Sequence, residues 1–429
     1  MLRVFLAATF CMLSFAAWAQ APQKLSNNGL KAAYYIYNPD RDRMVVQLIF
    51  DQGEAHNPYA EGLAHYVEHL VWLNALGLEH GDPSRHSNAS TTLTETTYWL
   101  NGEQSEFVEM LEKLHRVFLP FEIEREFMAQ ERDIIMREYD YRVRENTQYQ
   151  IYVDLTQAVY GGTVFGRDVL GTPEDIRQFS IEDAIKLHNQ THTFGNATMV
   201  IMGNLPVGAV RELVATQFPV GDVIARQDTL EKLELGVQRN VKTTPLDDQT
   251  ENELVFEKFV ASGFEKATSQ LGLELQILED ILESTRVGGM AKPLRFDDFI
   301  ARGFDIDLDQ PVDGYFSIGF YADPDRGVEL EQLLQVFETN LAEIAATGIP
   351  QKTFDKLLKR AVDEYGASIT RADAVYSEVP YYLALDEEPL SYDQFLENLS
   401  KVTRDRVNQH LTKLAGDGHV EIRFVTPKS

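Results

Sequence analysis

Two α+β domains in tandem are what this chain predicts, and three observations carry the expectation. Its 429 residues are enough for two or three domains with real cores. Both halves mix strand-like and helix-like segments without the strict β-α-β alternation of a parallel sheet. Between them, residues 218–250 are rich in Asp, Gln and Thr, and the apolar pattern fades as it would in a connector. The expected division is a first domain at 20–217, a linker at 218–250 and a second domain at 251–429, behind a distinct start at 1–19.

That start has Arg3, then the apolar run LAATFCMLSFAA, then Ala17-Trp18-Ala19. A basic beginning, a short apolar middle and an A-x-A end read as a secretory signal peptide cleaved after Ala19. The run is short for a bilayer span. Cys11 is the single cysteine and lies in this segment, so the mature chain would have no disulfide and no thiol nucleophile. Any metal ligands must then be His or carboxylate. Export without cysteine fits the periplasm. The net charge of -28 disfavours nucleic acid, whose phosphates need Lys and Arg.

The elements follow in order. Residues 33–50 read as two strands about a turn at Asn38-Pro39-Asp40. A helix is expected at 59–76, then a polar loop, a Thr- and aromatic-rich strand at 89–100, and helices at 105–118, 122–145 and 147–159. A Gly-rich stretch leads to a helix near 181–192, a strand at 197–203 and a helix at 206–217. After the connector come a strand near 253–260, a helix near 264–284, strands within 304–321, helices near 328–346 and 351–369, and a final strand, HVEIRFV.

Chemistry concentrates in the first helix. His65, Glu68 and His69 form H-x-x-E-H within EGLAHYVEHLVWLNAL, where Leu63, Val67, Leu70 and Val71 give helical spacing. Residues i and i+4 share a helix face, so the two imidazoles can hold one ion, with a carboxylate beside them to activate water. A catalytic zinc site takes three protein ligands. The helix EREFMAQERDIIMREYDYRVRE offers Glu131, Glu138 and Glu145, seven residues apart and roughly on one face. Spacing alone leaves the choice among them open.

The other histidines are weaker candidates. His80 and His86 fall in the polar loop, His115 on a helix face, and His188 and His192 near a helix end. The glycines of 161–171 lack the Gly-Lys-Ser/Thr of a phosphate loop. Arg404-Asp405-Arg406 reads as solvated charge.

Together these motifs resemble the pitrilysin/insulinase family of zinc metallopeptidases, which includes the mitochondrial processing peptidase and carries the inverzincin signature. The resemblance rests on His65-x-x-Glu68-His69, ERDIIMRE at 131–138, Asn88-Ala89 before a Thr-rich strand with Tyr98, and GRDVLGTPEDI at 166–176. It is dense over about 30–215. It implies two similar α/β-sandwich domains, each a mixed or antiparallel sheet with helices. It implies one zinc per chain held by His65, His69 and Glu138, Glu68 as general base, and Glu131 as a catalytic-site carboxylate orienting a ligand. Glu145 remains the alternative third ligand.

Asn88 and Ala89 would bind substrate on an edge strand beside the site. Asn88 also reads as a turn residue. The family's second domain carries an Arg and a Tyr, seven apart, that reach the substrate. Counted from Gly288-Gly289-Met290, those positions fall on Phe299 and Ile306. The resemblance therefore implies the zinc-bearing subunit of a heterodimer acting on peptides, with a homodimer, or a non-catalytic peptide-binding or assembly subunit, as alternatives.

Overall fold

The computed structural model describes residues 21–76, 86–121, 124–221, 230–246, 249–368 and 371–428. The first half runs β1 (Gln23–Lys24), β2 (Ala32–Tyr37), β3 (Arg43–Phe50), α1 (Leu63–Leu76), β4 (Ser87–Thr91), β5 (Thr96–Glu103), α2 (Phe107–Arg116), α3 (Arg125–Tyr139), α4 (Thr147–Tyr160), α5 (Pro173–Gln178), α6 (Ile181–Thr191), β6 (Ala197–Gly203) and α7 (Val207–Gln217). The second runs β7 (Gln238–Leu246), β8 (Glu253–Ala261), α8 (Ser269–Leu282), β9 (Ala301–Asp309), β10 (Tyr315–Pro324), α9 (Leu330–Thr347), α10 (Gln351–Ser368), α11 (Ala372–Ala384), α12 (Tyr392–Lys401), α13 (Arg404–Ala415) and β11 (His419–Pro427).

The two halves repeat one plan. One sheet is ordered β1-β2-β6-β3-β5-β4 and the other β7-β11-β8-β10-β9. With β1 set aside, they match strand for strand. Directions match too: β2–β6 and β7–β11 pair in parallel, and the remaining neighbours are antiparallel. In each half the returning last strand sits inside the sheet. That explains why β6, ATMVIMG, is apolar but for Thr198 and buried at every residue.

Helices of each half cover one face of its own sheet, and one helix crosses to the other half. Val375 and Val379 of α11 pack on Ile36, Val200 and Met202 of the first sheet. In return, Ile151 and Leu155 of α4 pack on Val255 and Val425 of the second. Each fully buried side chain of this kind contributes about 1.5–3 kcal/mol. Polar contacts fix the register: Asp154 of α4 accepts from Arg423 Nε at 2.6 Å and from Lys242 Nζ at 2.6 Å.

Several expectations need correction. The connector at 218–250 contains β7. That strand lies at the sheet edge and is exposed along most of its length, so it has no alternating apolar face to betray it. The strand read at 89–100 is a hairpin, β4 and β5. Thr92 closes its turn, its Oγ1 accepting the N–H groups of Thr94 and Glu95 at 3.2 and 3.1 Å. The helix read at 122–145 ends as α3 at Tyr139 and continues into one wide π turn, Asp140–Arg144. Helices α11 to α13 had no counterpart in the sequence reading. Residues 1–19 and His80 lie outside the described residues.

The start of α1 is held by a buried carboxylate. Glu54 has no solvent exposure. It accepts from the Ala64 N–H at 3.2 Å, from Asn57 Nδ2 at 2.9 Å and from Arg167 Nη1 at 3.4 Å. An anion at a helix N-terminus meets unpaired N–H groups and the positive end of the dipole. Burial nevertheless outweighs these donors and raises its pKa from 4.5 to about 8. The folded protein thus binds this proton more tightly than the unfolded chain. The stabilisation is complete below pH 4.5 and disappears as pH rises through about 8. Thermal melts of wild type and Glu54→Gln across this window should show wild type losing stability relative to the variant as pH rises. Parallel curves would remove this role.

Candidate metal centre

Helix α1 turns Leu63, Tyr66, Val67, Leu70 and Val71 into the first core, each at most 1% exposed. The same helical period carries His65, Glu68 and His69 to its flank. Helix α3 answers with one stripe: Met128, Glu131 and Ile135 are buried, and Glu138 continues the three- and four-residue steps. Tyr66 ties the helices together, its hydroxyl donating to the Met128 carbonyl and its ring stacking on Phe179 at 5.3 Å between centroids.

At this crossing His65, His69 and Glu138 each offer one ligand atom, all within 4.8 Å of one another. The two Nε2 atoms are 3.2 Å apart. Glu138 Oε2 lies 3.8 Å from His65 Nε2 and 3.5 Å from His69 Nε2. Donors at about 2.0–2.1 Å from a tetrahedral zinc are separated from one another by about 3.3 Å, so this donor set fits such an ion. His69 Nδ1 donates to Glu131 Oε1 at 2.8 Å, so loss of the Nε2 proton to an incoming ion turns that nitrogen's lone pair on the cluster. Glu145 is exposed beyond the end of α3 and is not in the cluster.

Burial shapes the electrostatics. It drives the His65 pKa down to about 3, helped by the neighbouring His69. It lifts Glu68 to about 7, against the pull of His69 and the Thr91 hydrogen bond. Without a metal ion, burial of His69 is outweighed by its hydrogen bonds to Glu131 and Glu138 and by the charge of Glu68, which raise its pKa to about 10; at Glu138 burial is in turn outweighed by this protonated ring and by Arg142, which hold the carboxyl at about 2. Arg142 Nη2 is 2.7 Å from Glu138 Oε1. A carboxylate near pH 7 beside a three-donor cluster is suited to taking and returning a proton.

Sequence reasoning missed Thr91, whose Oγ1 donates to Glu68 Oε2 at 2.9 Å. The only signal was its place in a Thr-rich segment. It missed Arg142 as well, although an Arg four residues after Glu138 on a helix was a readable pair. The turn behind Thr91 is pinned by Glu54 N–H to the Thr92 carbonyl at 3.0 Å and Ala55 N–H to the Leu93 carbonyl at 2.8 Å. Gly53 permits this approach, since a Cβ there would sit 2.3 Å from the Thr92 oxygen.

Asn88 is exposed and Ala89 half-buried on β4, the outermost strand of its sheet. Asn88 pairs with Trp99 in the ladder, so it is a strand residue and not a turn. Phe299 is 62% exposed with φ 51°, while Ile306 is buried in the second core. Neither offers a polar group. His188 and His192 are buried rather than simple helix-end residues: His188 Nε2 bonds the Val117 carbonyl at 2.9 Å and His192 Nε2 the Tyr98 hydroxyl at 2.9 Å. His115 packs among Phe118, Phe194 and Phe218.

Known proteins can be set beside this geometry. Residues 33–173 match the model of the insulinase family, peptidase family M16, and residues 178–360 match the peptidase M16 inactive domain. The β subunit of the mitochondrial-processing peptidase of Neurospora crassa is 25% identical over 199 residues, covering 44% of this chain and 41% of that protein. The chain thus matches less than half the length of this relative. Among solved structures, a protease from Helicobacter pylori superposes with a TM-score of 0.77 over 96% of this chain and all of that one, at 16% identity. A peptidase M16 inactive domain from Pseudomonas fluorescens gives 0.78 over 96% and 98%, at 13% identity. The fold is that of two-domain pitrilysin-like peptidases, and the chain belongs to the pitrilysin/insulinase family of peptidases, family M16.

Proposed function

We propose that this chain is a zinc-dependent endopeptidase in which His65, His69 and Glu138 hold one zinc ion and Glu68 is the general base. The observation that carries the reading is the convergence of three ligand atoms within 4.8 Å, with Glu68 one residue before a ligand on the same helix. When bound, zinc would supply Lewis acidity, bringing the pKa of water toward about 7 and polarising a peptide carbonyl. Glu68 takes a proton from water as the water oxygen attacks the carbonyl carbon. It returns that proton to the leaving amine as the C–N bond breaks. Thr91 holds the Glu68 carboxylate in place, and Glu131 orients His69. The unpaired edge of β4 receives the peptide as an added strand, past Asn88 and Ala89.

The same reading makes this chain the zinc-bearing subunit of a heterodimer. Its support is the absence of a polar group at Phe299 and Ile306, and the naming of one relative as a β subunit. The match of 178–360 to an inactive-domain model favours one alternative, a non-catalytic peptide-binding subunit. The reading also has the protein exported to the periplasm, with residues 1–19 removed and the two domains divided by the stretch after residue 217. Among the described residues, no helix is long and apolar enough to cross a membrane.

Three outcomes follow. Glu68→Gln should cleave an unfolded peptide about 10²–10⁴-fold more slowly with its zinc content unchanged; equal cleavage by variant and wild type would refute the mechanism. By metal analysis Glu138→Gln should lose its zinc, while Glu131→Gln should bind it about 10–100-fold more weakly; full zinc content in Glu138→Gln would reassign the third ligand. The purified chain alone should be a poor peptidase that gains activity when its genomic neighbour is added, whereas full activity alone would count against the heterodimer.

A further inference from the structure

The internal repeat gives the metal cluster an equivalent address in the second half. There α8, α10 and the end of β9 stand where α1, α3 and the end of β4 stand in the first. A cavity of about 270 Å³ lies at that address. Gly272 and Gln276 of α8 line it with the four-residue spacing of His65 and His69, and Tyr365 of α10 faces them. Among the described residues, no histidine lines it. The repeat has kept the space and exchanged the chemistry.

The new lining is aromatic and acidic. Tyr365 is stacked on Phe395 with ring centroids 3.4 Å apart. Tyr381 of α11 reaches across to α8: a Cβ on Gly272 would lie 2.2 Å from the Tyr381 hydroxyl oxygen, so glycine is what admits it. Glu378, one turn earlier on α11, lines the same space. Burial raises its pKa. Among the described lining residues there is no Lys or Arg. Tyrosine rings beside a partly buried carboxylate, in a described lining without Lys or Arg, are the surroundings that recognise an organic cation.

We infer that the second half carries a pocket for the ammonium or guanidinium group of a peptide, formed by Tyr365, Tyr381 and Glu378. The cation comes from a Lys or Arg side chain or from a chain N-terminus, and both offer the same charge to the same walls. The pocket uses no metal, so it stands apart from the peptidase reading.

Isothermal titration of the full chain with three probes tests this. Nα-acetyl-arginine amide carries a side-chain cation, norleucine amide a terminal ammonium, and Nα-acetyl-norleucine amide no charge. At least one cationic probe should bind saturably and about tenfold or more tighter than the neutral one; whichever binds better identifies the source of the cation. Glu378→Gln and Tyr381→Leu should each weaken binding by about tenfold, and stripping metal with a chelator should leave it unchanged. Tyr381 is 41% exposed, so its variant retains the fold if Glu378→Gln does not. Equal binding of the neutral probe, unaltered binding in the folded variants, or no binding of either cation would overturn the inference.

Discussion

Everything in the first half depends on α1 and α3 meeting with imidazoles facing carboxylates. Five ionisable groups are brought out of water at that crossing: His65, Glu68, His69, Glu131 and Glu138. Isolated, each would carry a heavy desolvation cost; breaking such a buried pair by removing one partner typically costs about 3–5 kcal/mol. The groups are tolerable because they answer one another. Glu131 accepts a hydrogen bond from His69 Nδ1, Glu138 faces both rings, and Arg142 balances Glu138 from outside. The apolar stripes above and below, Leu70 and Ile135 among them, fix the distance at which this happens.

The supporting elements act on that crossing from behind. Glu54 seats the N-terminus of α1 and, through the backbone bonds of its own turn, the hairpin that presents Thr91. A displacement of α1 would therefore move the ligand pair and its neighbouring base together. The reciprocal crossing of α4 and α11 holds the two halves to each other through packing that neither half supplies alone. Sheet order and directions are duplicated, while the equivalent crossing of α8 and α10 carries no imidazole and is lined by Tyr365 of α10 and Tyr381 of α11. The fold supplies a place, and side chains decide what is done there.

Legibility in the sequence followed the range of the interaction. His65, Glu68 and His69 were readable because a helix places them on one flank without help from elsewhere. Glu131, Glu138 and Glu145 were not separable by spacing, since a seven-residue repeat keeps all three on one face. The end of α3 at Tyr139 and the wide turn after it exclude Glu145, and no local signal announces that turn. Edge strand β7 was hidden because it is solvated along most of its length and is held by backbone bonds to β11. Helix α11 was hidden for the opposite reason. It packs against the first sheet on one side and lines a cavity on another, with Pro380 inside it, so its apolar period is blurred. Thr91 is significant only through Glu68, a long-range contact that composition does not carry.

Anomalous diffraction at the zinc edge from crystals of the zinc-loaded protein tests the central claim most directly. The account predicts a single strong peak bonded to His65 Nε2, His69 Nε2 and a Glu138 carboxylate oxygen at about 2.0–2.2 Å. A peak elsewhere, or one that excludes Glu138 from its coordination, would contradict it.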